Sequence, residues 1–297
     1  MIQHSMINAY RGHLRKFLAA ALEEDLAQGD ITTELTIPEG HVSEAEIIAK
    51  EDFIVAGLPF AGEVFALLDG GIGFDEAVPD GSRVGEGDVL AVVRGHTRGL
   101  LAGERLALNI LQRLSGIATL TARFVELTDG TGARIVDTRK TTPNMRYLEK
   151  YAVRTGGGCN HRFGLYDGIL IKDNHIKAAG GIGKAVEMAR CKAHHLMKIE
   201  VEVGSIAELT EALKAGADIV MLDNMPVELM RDAVRIARGY SPAPLLEASG
   251  GVNTDNVREI AMTGVDFISV GALTHSAPSV DISMKIAGPG HAEKSVN

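Results

Sequence analysis

The pattern of hydrophobic and polar positions changes character near residue 115. In "HLRKFLAAALEEDL", Leu14, Phe17, Leu18, Ala21 and Leu22 recur at helical spacing, which predicts an amphipathic helix. "EAEIIAKEDFIVAG" reads as extended chain, and "VFALLDGG" as a helix stopped by its glycines. "DGSRVGEGDVLAVVRGH" reads as a strand pair turned by Gly and Asp-Gly. A long helical stretch follows from Gly103 to Thr128, with Ser115-Gly116 offering a break. We place a domain boundary there, giving 1–115 as an N-terminal helix and α/β domain and 116–297 as a second domain with a C-terminal tail.

Past that point the pattern is regular. Short β-rich runs, "RIVDT", "GILIKD", "KIEVEV", "DIVMLD", "PLLEAS" and "DFISVG", alternate with helical ones. Ser205 with Glu208 three residues on offers a capping box, and Gly216 suits the position after a helix end. Pro226 suits a first helical position ahead of the stripe Val227, Met230, Val234 and Ala237, and Thr254 offers a cap to the next helix. Alternating β and α units imply a parallel sheet. Read to their C-terminal ends, the runs deliver Arg139 and Lys140, Lys172, Glu202, Asp223, Ser249 and Gly271. Polar or glycine residues at every such end are what the catalytic face of an α/β barrel carries. A doubly wound sheet would gather them at one crevice, and no GxGxxG follows the first strand. Six clear strands fall short of a full barrel, so the expected fold is α/β with an open, incomplete barrel of TIM-like type.

Composition narrows the chemistry. The 297 residues are 45% apolar, with a net charge of −9. That charge argues against a general binder of nucleic acid or anionic membrane, so a basic cluster in this chain reads as a pocket for a small anion. Two cysteines, Cys159 and Cys191, imply no disulfide framework and a reducing compartment. No signal-peptide core opens the chain, and no apolar run approaches the roughly 20 residues that span a bilayer. The expectation is a soluble cytoplasmic protein.

Three constellations carry the candidate chemistry. Arg139, Lys140 and Lys172 at strand ends, with His161 and Arg162 in "GGGCNHRFG", would hold a molecule with several negative groups. Taken singly, each is more readily a solvated loop charge; their convergence on strand ends and one glycine-rich loop favours a site. Glu202 and Asp223 end successive strands and would bind sugar hydroxyls, share a Mg²⁺, or stabilise positive charge developing on a sugar carbon. Structural ion pairs inside the barrel are the plainer alternative, and Glu200 shares the face of Glu202. "EASGGV" and "SVGALTH" follow the last two strands, where barrels of this type commonly hold phosphate, and Ser249, Gly250, Gly251 and Gly271 are the candidates. His175 is a further candidate ligand or acid-base group, although no spaced His or Cys partner supports a transition-metal site. "VGEGDVLAVVRG" is similar to the turn of lipoyl-type carrier hairpins but has no lysine at its tip, so it reads as a structural hairpin.

At this point a resemblance emerges. "DTRKTTPNMRYLEKYAVRTGGGCNHRFGLYDGILIKDNHI" closely resembles the signature region of the quinolinate phosphoribosyltransferase family, and the likeness runs from "EDLAQGDITT" to "DISMKI". The resemblance implies an N-terminal α/β sandwich, an incomplete α/β barrel and a homodimer with an active site shared across the interface. It implies an enzyme, a pentosyltransferase that joins quinolinate to 5-phosphoribosyl 1-diphosphate with Mg²⁺ and releases diphosphate and CO₂. It places Thr138, Arg139, Lys140, His161, Arg162 and Lys172 on quinolinate, with Arg105 supplied by the other subunit. Glu202 and Asp223 then address ribose and metal, and Ser249, Gly250, Gly251 and Gly271 the 5-phosphate. Lys140 is the candidate proton donor after decarboxylation. Two other readings compete: a Schiff-base lyase using Lys140 or Lys172, and a non-catalytic anion-binding relative.

Overall fold

The computed structural model describes residues 2–287, with side chains from residue 12 onward. In chain order the first half comprises α1 (Ile2–Leu26), α2 (Ile31–Thr36), β1 (Val42–Ala49), β2 (Phe53–Ile54), α3 (Leu58–Leu68), β3 (Gly73–Glu76), β4 (Arg83–Val84), β5 (Val89–His96) and α4 (Thr97–Leu127). There follow β6 (Arg134–Val136), α5 (Arg146–Thr155), β7 (Ile169–Ile171), α6 (Asp173–Ala179), α7 (Ile182–Lys192), β8 (Ile199–Val203) and α8 (Ile206–Lys214). The chain continues through β9 (Ile219–Asp223), α9 (Val227–Arg238), β10 (Leu245–Ser249), α10 (Val257–Ala261), β11 (Phe267–Ser269), α11 (Ala272–His275) and β12 (Ile282–Ile286).

These elements form two compact units. One contains the chain to Leu120, Pro143–Gly156 and the segment from Ala277; the other contains Thr121–Thr142 and Gly157–Ser276. They differ from the consecutive stretches 1–115 and 116–297 because two later segments close onto the first unit. β12 pairs antiparallel with β1, and Tyr151 of α5 meets Phe60 of α3 edge-on with ring centroids 4.8 Å apart.

The first unit is built on a sheet of order β12-β1-β5-β3. Along β1 the period-2 alternation buries Ala45, Ile47 and Ala49, the inward face that a half-buried antiparallel strand requires. Leu14, Leu18 and Leu22 of α1 are buried as their spacing predicts. Two expectations are corrected here. β4 and β5 are not hairpin partners: β4 pairs with β2, whereas β5 lies between β1 and β3. The turn between them is occupied elsewhere, since Gly87 N–H donates to the carbonyl of Ala49, and Ala49 N–H to that of Asp88. Nor does α4 break at Ser115-Gly116. Ser115 Oγ accepts the Ala56 N–H at 3.0 Å. A Cβ on Gly116 would sit 1.9 Å from the Pro278 carbonyl oxygen. The pair marks a close backbone approach along an unbroken helix, which only glycine permits.

The second unit is a parallel sheet of order β6-β11-β10-β9-β8-β7. Its first strand pairs with its last, as in a barrel; a doubly wound sheet would place the first strand centrally. The β6 and β7 edges do not pair, so the barrel is open there. The glycine-rich loop after α5 partly fills the gap: Cys159 forms a parallel bridge with Val136, and its N–H donates to Ile135 at 2.8 Å. Local endings follow the sequence with small shifts. Ser205 Oγ accepts the Glu208 N–H, but Glu208 returns its carboxylate to Gly204. Pro226 occupies the cap position of α9, one residue before its expected place. Asn253, not Thr254, accepts the N–H groups ahead of α10, because its side chain reaches both Asp255 and Asn256. No side chain caps α5, and Asn144 instead takes the left-handed conformation at φ 64°.

Candidate active site

Strand register decides what the open barrel presents. Asp223, Ser249 and Ser269 are successive partners across β9, β10 and β11, and Met221 one step back partners both Glu202 and Glu247. Alternation then aligns Glu200 with Glu202, Met221 with Asp223 and Glu247 with Ser249 on one face. From that face Glu202, Met221, Asp223, Glu247 and Ser249 line a cavity of about 610 Å³ together with Thr138, Arg139, Lys140, His161, Arg162, Lys172, Gly250, Gly251 and Gly271. Of the site residues the resemblance implies, Arg105 does not line it and is exposed on α4 in the first unit; Glu200 and His175, also singled out from sequence, do not line it either.

The cations are held by local structure. After β6 the chain turns tightly: Lys140 N–H donates to Thr138 Oγ1 at 3.1 Å, and Thr274 Oγ1 donates to the Lys140 carbonyl at 2.8 Å. Gly271 makes room for this side chain, since a Cβ there would lie 3.1 Å from Lys140 Cδ. Arg162 donates from Nη1 to the Gly168 carbonyl at 2.9 Å. Burial, and then the nearby charge of Arg139, hold its guanidinium below the usual arginine range. Lys172 pairs with Glu202. His175 Nδ1 accepts the Lys172 N–H at 2.9 Å, so His175 caps α6 and orients Lys172.

Asp137, the acid that opens "DTRKTTPN", is fully buried beneath this wall. It accepts the His161 N–H at 2.9 Å and the Asn160 side-chain amide at 2.6 Å, which ties the glycine-rich loop to the end of β6. At the other end of the cavity Gly250 and Gly251 have φ of 94° and 62°. A Cβ on Gly250 would be 2.2 Å from Asn224 Oδ1, so glycine is required both for conformation and for space. Successive glycines with Ser249 leave backbone N–H groups able to approach a phosphate. Asp223 accepts the Asn224 amide at 2.9 Å. Glu202 and Asp223 supply the hard oxygen donors that Mg²⁺ takes when shared with phosphate and water, so the residues fit such an ion.

At the base of the cavity His161 meets two acids. Its Nε2 lies 3.2 Å from Glu200 Oε2 and 3.7 Å from Glu247 Oε2. Burial, and then the charge of Glu200, push the Glu247 carboxyl up to about 7. The three groups have the spacing of a metal site. However, His161 Nδ1 accepts the Arg162 N–H at 2.7 Å, which leaves the ring proton on Nε2. A metal-bound histidine instead donates from its second nitrogen, so this trio is a hydrogen-bonded cluster. Sequence reasoning passed over Asp137, Glu247, Asn224 and Thr274. A signal existed for Glu247, which precedes Ser249 by two residues as Glu200 precedes Glu202.

Residues 30–115 match the N-terminal domain model of quinolinate phosphoribosyl transferase, and residues 117–285 match its C-terminal domain model. The chain belongs to this family. It is 47% identical over 274 residues to the probable nicotinate-nucleotide pyrophosphorylase [carboxylating] of Bacillus subtilis, covering 92% of this chain and 93% of that one. It is 42% identical to the Mycobacterium leprae nicotinate-nucleotide pyrophosphorylase [carboxylating], covering 96% and 100%. The solved nicotinate-nucleotide pyrophosphorylase from Francisella tularensis superimposes with a TM-score of 0.87 at 42% identity, over 93% of this chain and 96% of that one. Family membership therefore rests on both halves of the chain and on the fold.

Proposed function

We propose that this chain transfers the phosphoribosyl group of 5-phosphoribosyl 1-diphosphate to quinolinate with decarboxylation, a pentosyltransferase step in NAD biosynthesis that yields nicotinate mononucleotide, CO₂ and diphosphate. The observation that carries this reading is one cavity with three chemistries: the cations Arg139, Lys140, Arg162 and Lys172, the acids Glu202 and Asp223, and the glycine turn after Ser249. Quinolinate has two carboxylates, and a cluster of cations offsets both; nicotinate, with one, would leave part of the cluster unpaired.

The pyridine nitrogen attacks the anomeric carbon as its bond to the diphosphate oxygen breaks. Positive charge develops on the sugar, where Glu202 and Asp223 stabilise it. Mg²⁺, held by the same two acids directly or through water, would neutralise the departing diphosphate. The quaternised ring nitrogen then stabilises the electron pair left on the adjacent carbon when CO₂ leaves, and Lys140 delivers the proton that replaces it. Ser249, Gly250, Gly251 and Gly271 hold the 5-phosphate. Arg105, exposed and outside this cavity, is assigned to the quinolinate site of a second subunit in a homodimer. Free Cys159 and Cys191, and the absence among the described residues of a helix long and apolar enough to cross a membrane, support a cytoplasmic setting.

The deciding experiment follows nicotinate mononucleotide and CO₂ together from quinolinate, 5-phosphoribosyl 1-diphosphate and Mg²⁺, beside a reaction with nicotinate. Both products from quinolinate alone are expected. Silence from folded protein that still binds quinolinate would replace the enzyme with a metabolite-binding protein.

A further inference from the structure

Glu200 and Glu247 are 5% and 4% exposed, and Oε1 of each has no hydrogen-bond partner. Their Oε2 atoms converge on His161 Nε2, and the ligating atoms of the three residues lie within 4.8 Å of one another. His161 has one proton to offer there, because Nδ1 is already an acceptor for the Arg162 N–H. Lys172 gives its ammonium to Glu202. Two buried carboxyls thus converge on a single imidazole N–H, with the Ser269 hydroxyl the further donor to Glu247, an arrangement that is unfavourable when both are ionised.

We propose that Glu247 is a positioning residue for quinolinate: its neutral carboxyl, beside the Glu200 carboxylate, clamps His161 in the Nε2–H tautomer and, through the His161–Arg162 hydrogen bond, sets where Arg162 meets the dicarboxylate. This rests on the function proposed above. A neutral Glu247 adds an O–H donor to a cluster whose ligating atoms lie within 4.8 Å of one another and in which one oxygen of each acid is otherwise orphaned. It also keeps a second negative charge from lying beneath a doubly charged substrate. Four groups act on it. Glu200 faces it from β8, His161 from the glycine-rich loop, and the Ser269 hydroxyl from β11; the Lys172 charge acts on it from the end of β7, and β9 presents only Met221 in register. Burial and Glu200 favour the neutral form, and the other three oppose it.

The test compares wild type, Glu247→Gln and Glu247→Ala. Quinolinate binding is read by calorimetry, kcat and both KM values by steady-state kinetics across neutral pH, and the His161 ring by ¹⁵N NMR. Gln preserves shape and neutrality, so affinity should stay within about twofold of wild type and the weakening above neutral pH should vanish. Ala should raise the quinolinate KM by about tenfold, the size of a coupling between contacting polar groups, with kcat and the KM for 5-phosphoribosyl 1-diphosphate little changed. The Ala variant's His161 signal should lose its single-tautomer signature. Ala binding like wild type, Gln falling with Ala, or equal losses for both substrates would overturn the inference. Wild type that fails to bind quinolinate would sink the proposed function as well, whereas normal wild-type turnover with indifferent variants sinks this inference alone.

Discussion

Asp80 and Glu247 are both acids pushed up by burial, yet their surroundings differ. Asp80, in the first unit, accepts the Gly57 N–H at 2.7 Å, the Leu58 N–H at 3.1 Å and the Tyr151 hydroxyl at 2.7 Å. It caps α3 from a distant loop and complements the positive end of that helix. Tyr151 is raised in turn, first by burial and then by the Asp80 charge. Glu247 has the Ser269 hydroxyl, one imidazole N–H at 3.7 Å that it shares with Glu200, and an unpartnered oxygen. An acid surrounded by donors is a structural fastening; one left short of donors stores free energy that substrate or proton can use. The contrast separates an acid that fastens the fold from an acid that lines the candidate site.

The contrast should break most sharply at Lys140. Lys140→Ala should slow turnover by about 10²–10⁴-fold, the range of a lost general acid, while quinolinate affinity changes far less and the thermal midpoint barely moves. Single-turnover release of CO₂ against calorimetric binding reads this; a loss confined to binding would make Lys140 a binding cation only. Asp80→Ala should do the reverse. Stripping three donors of their acceptor should cost about 3 kcal/mol of stability in denaturant unfolding, with quinolinate affinity per folded molecule unchanged.

Smaller effects refine the comparison. Glu247 is near 4.5 when unperturbed and about 7 in the fold, so between these values the folded state holds a proton that the unfolded state has lost. Stability therefore falls as pH rises through that window and levels off above it. Glu247→Gln should flatten the slope and gain on the order of 1–3 kcal/mol at pH 8, checked by melting curves at pH 5 and pH 8. At the bottom of the scale, Arg231→Ala removes exposed pairings with Glu228 and Glu259 and should change stability by no more than about 0.5 kcal/mol. A larger effect would mean that surface charge contributes more to this fold than the contrast allows.

The sequence by itself determined the barrel strands, their order of appearance and the polar residues at their ends, because alternation and strand termini are local properties of the chain. "RIVDT" to "DFISVG" all become strands, and the twelve cavity residues named from their ends and loops do line one cavity. Asp137 could be read only as an acid near cations; its burial and its hold on His161 appear once Cys159 bridges to Val136. The same limit explains Gly116, read as a helix break, whose purpose lies in a backbone 162 residues further along the chain, at Pro278. It explains the strand pair at 80–96, whose partners are distant strands and not each other. What a residue is made of and where it falls in a periodic pattern are written locally. Which groups share its burial, its proton or its last hydrogen bond depends on contacts between distant segments, and only the tertiary structure decided those.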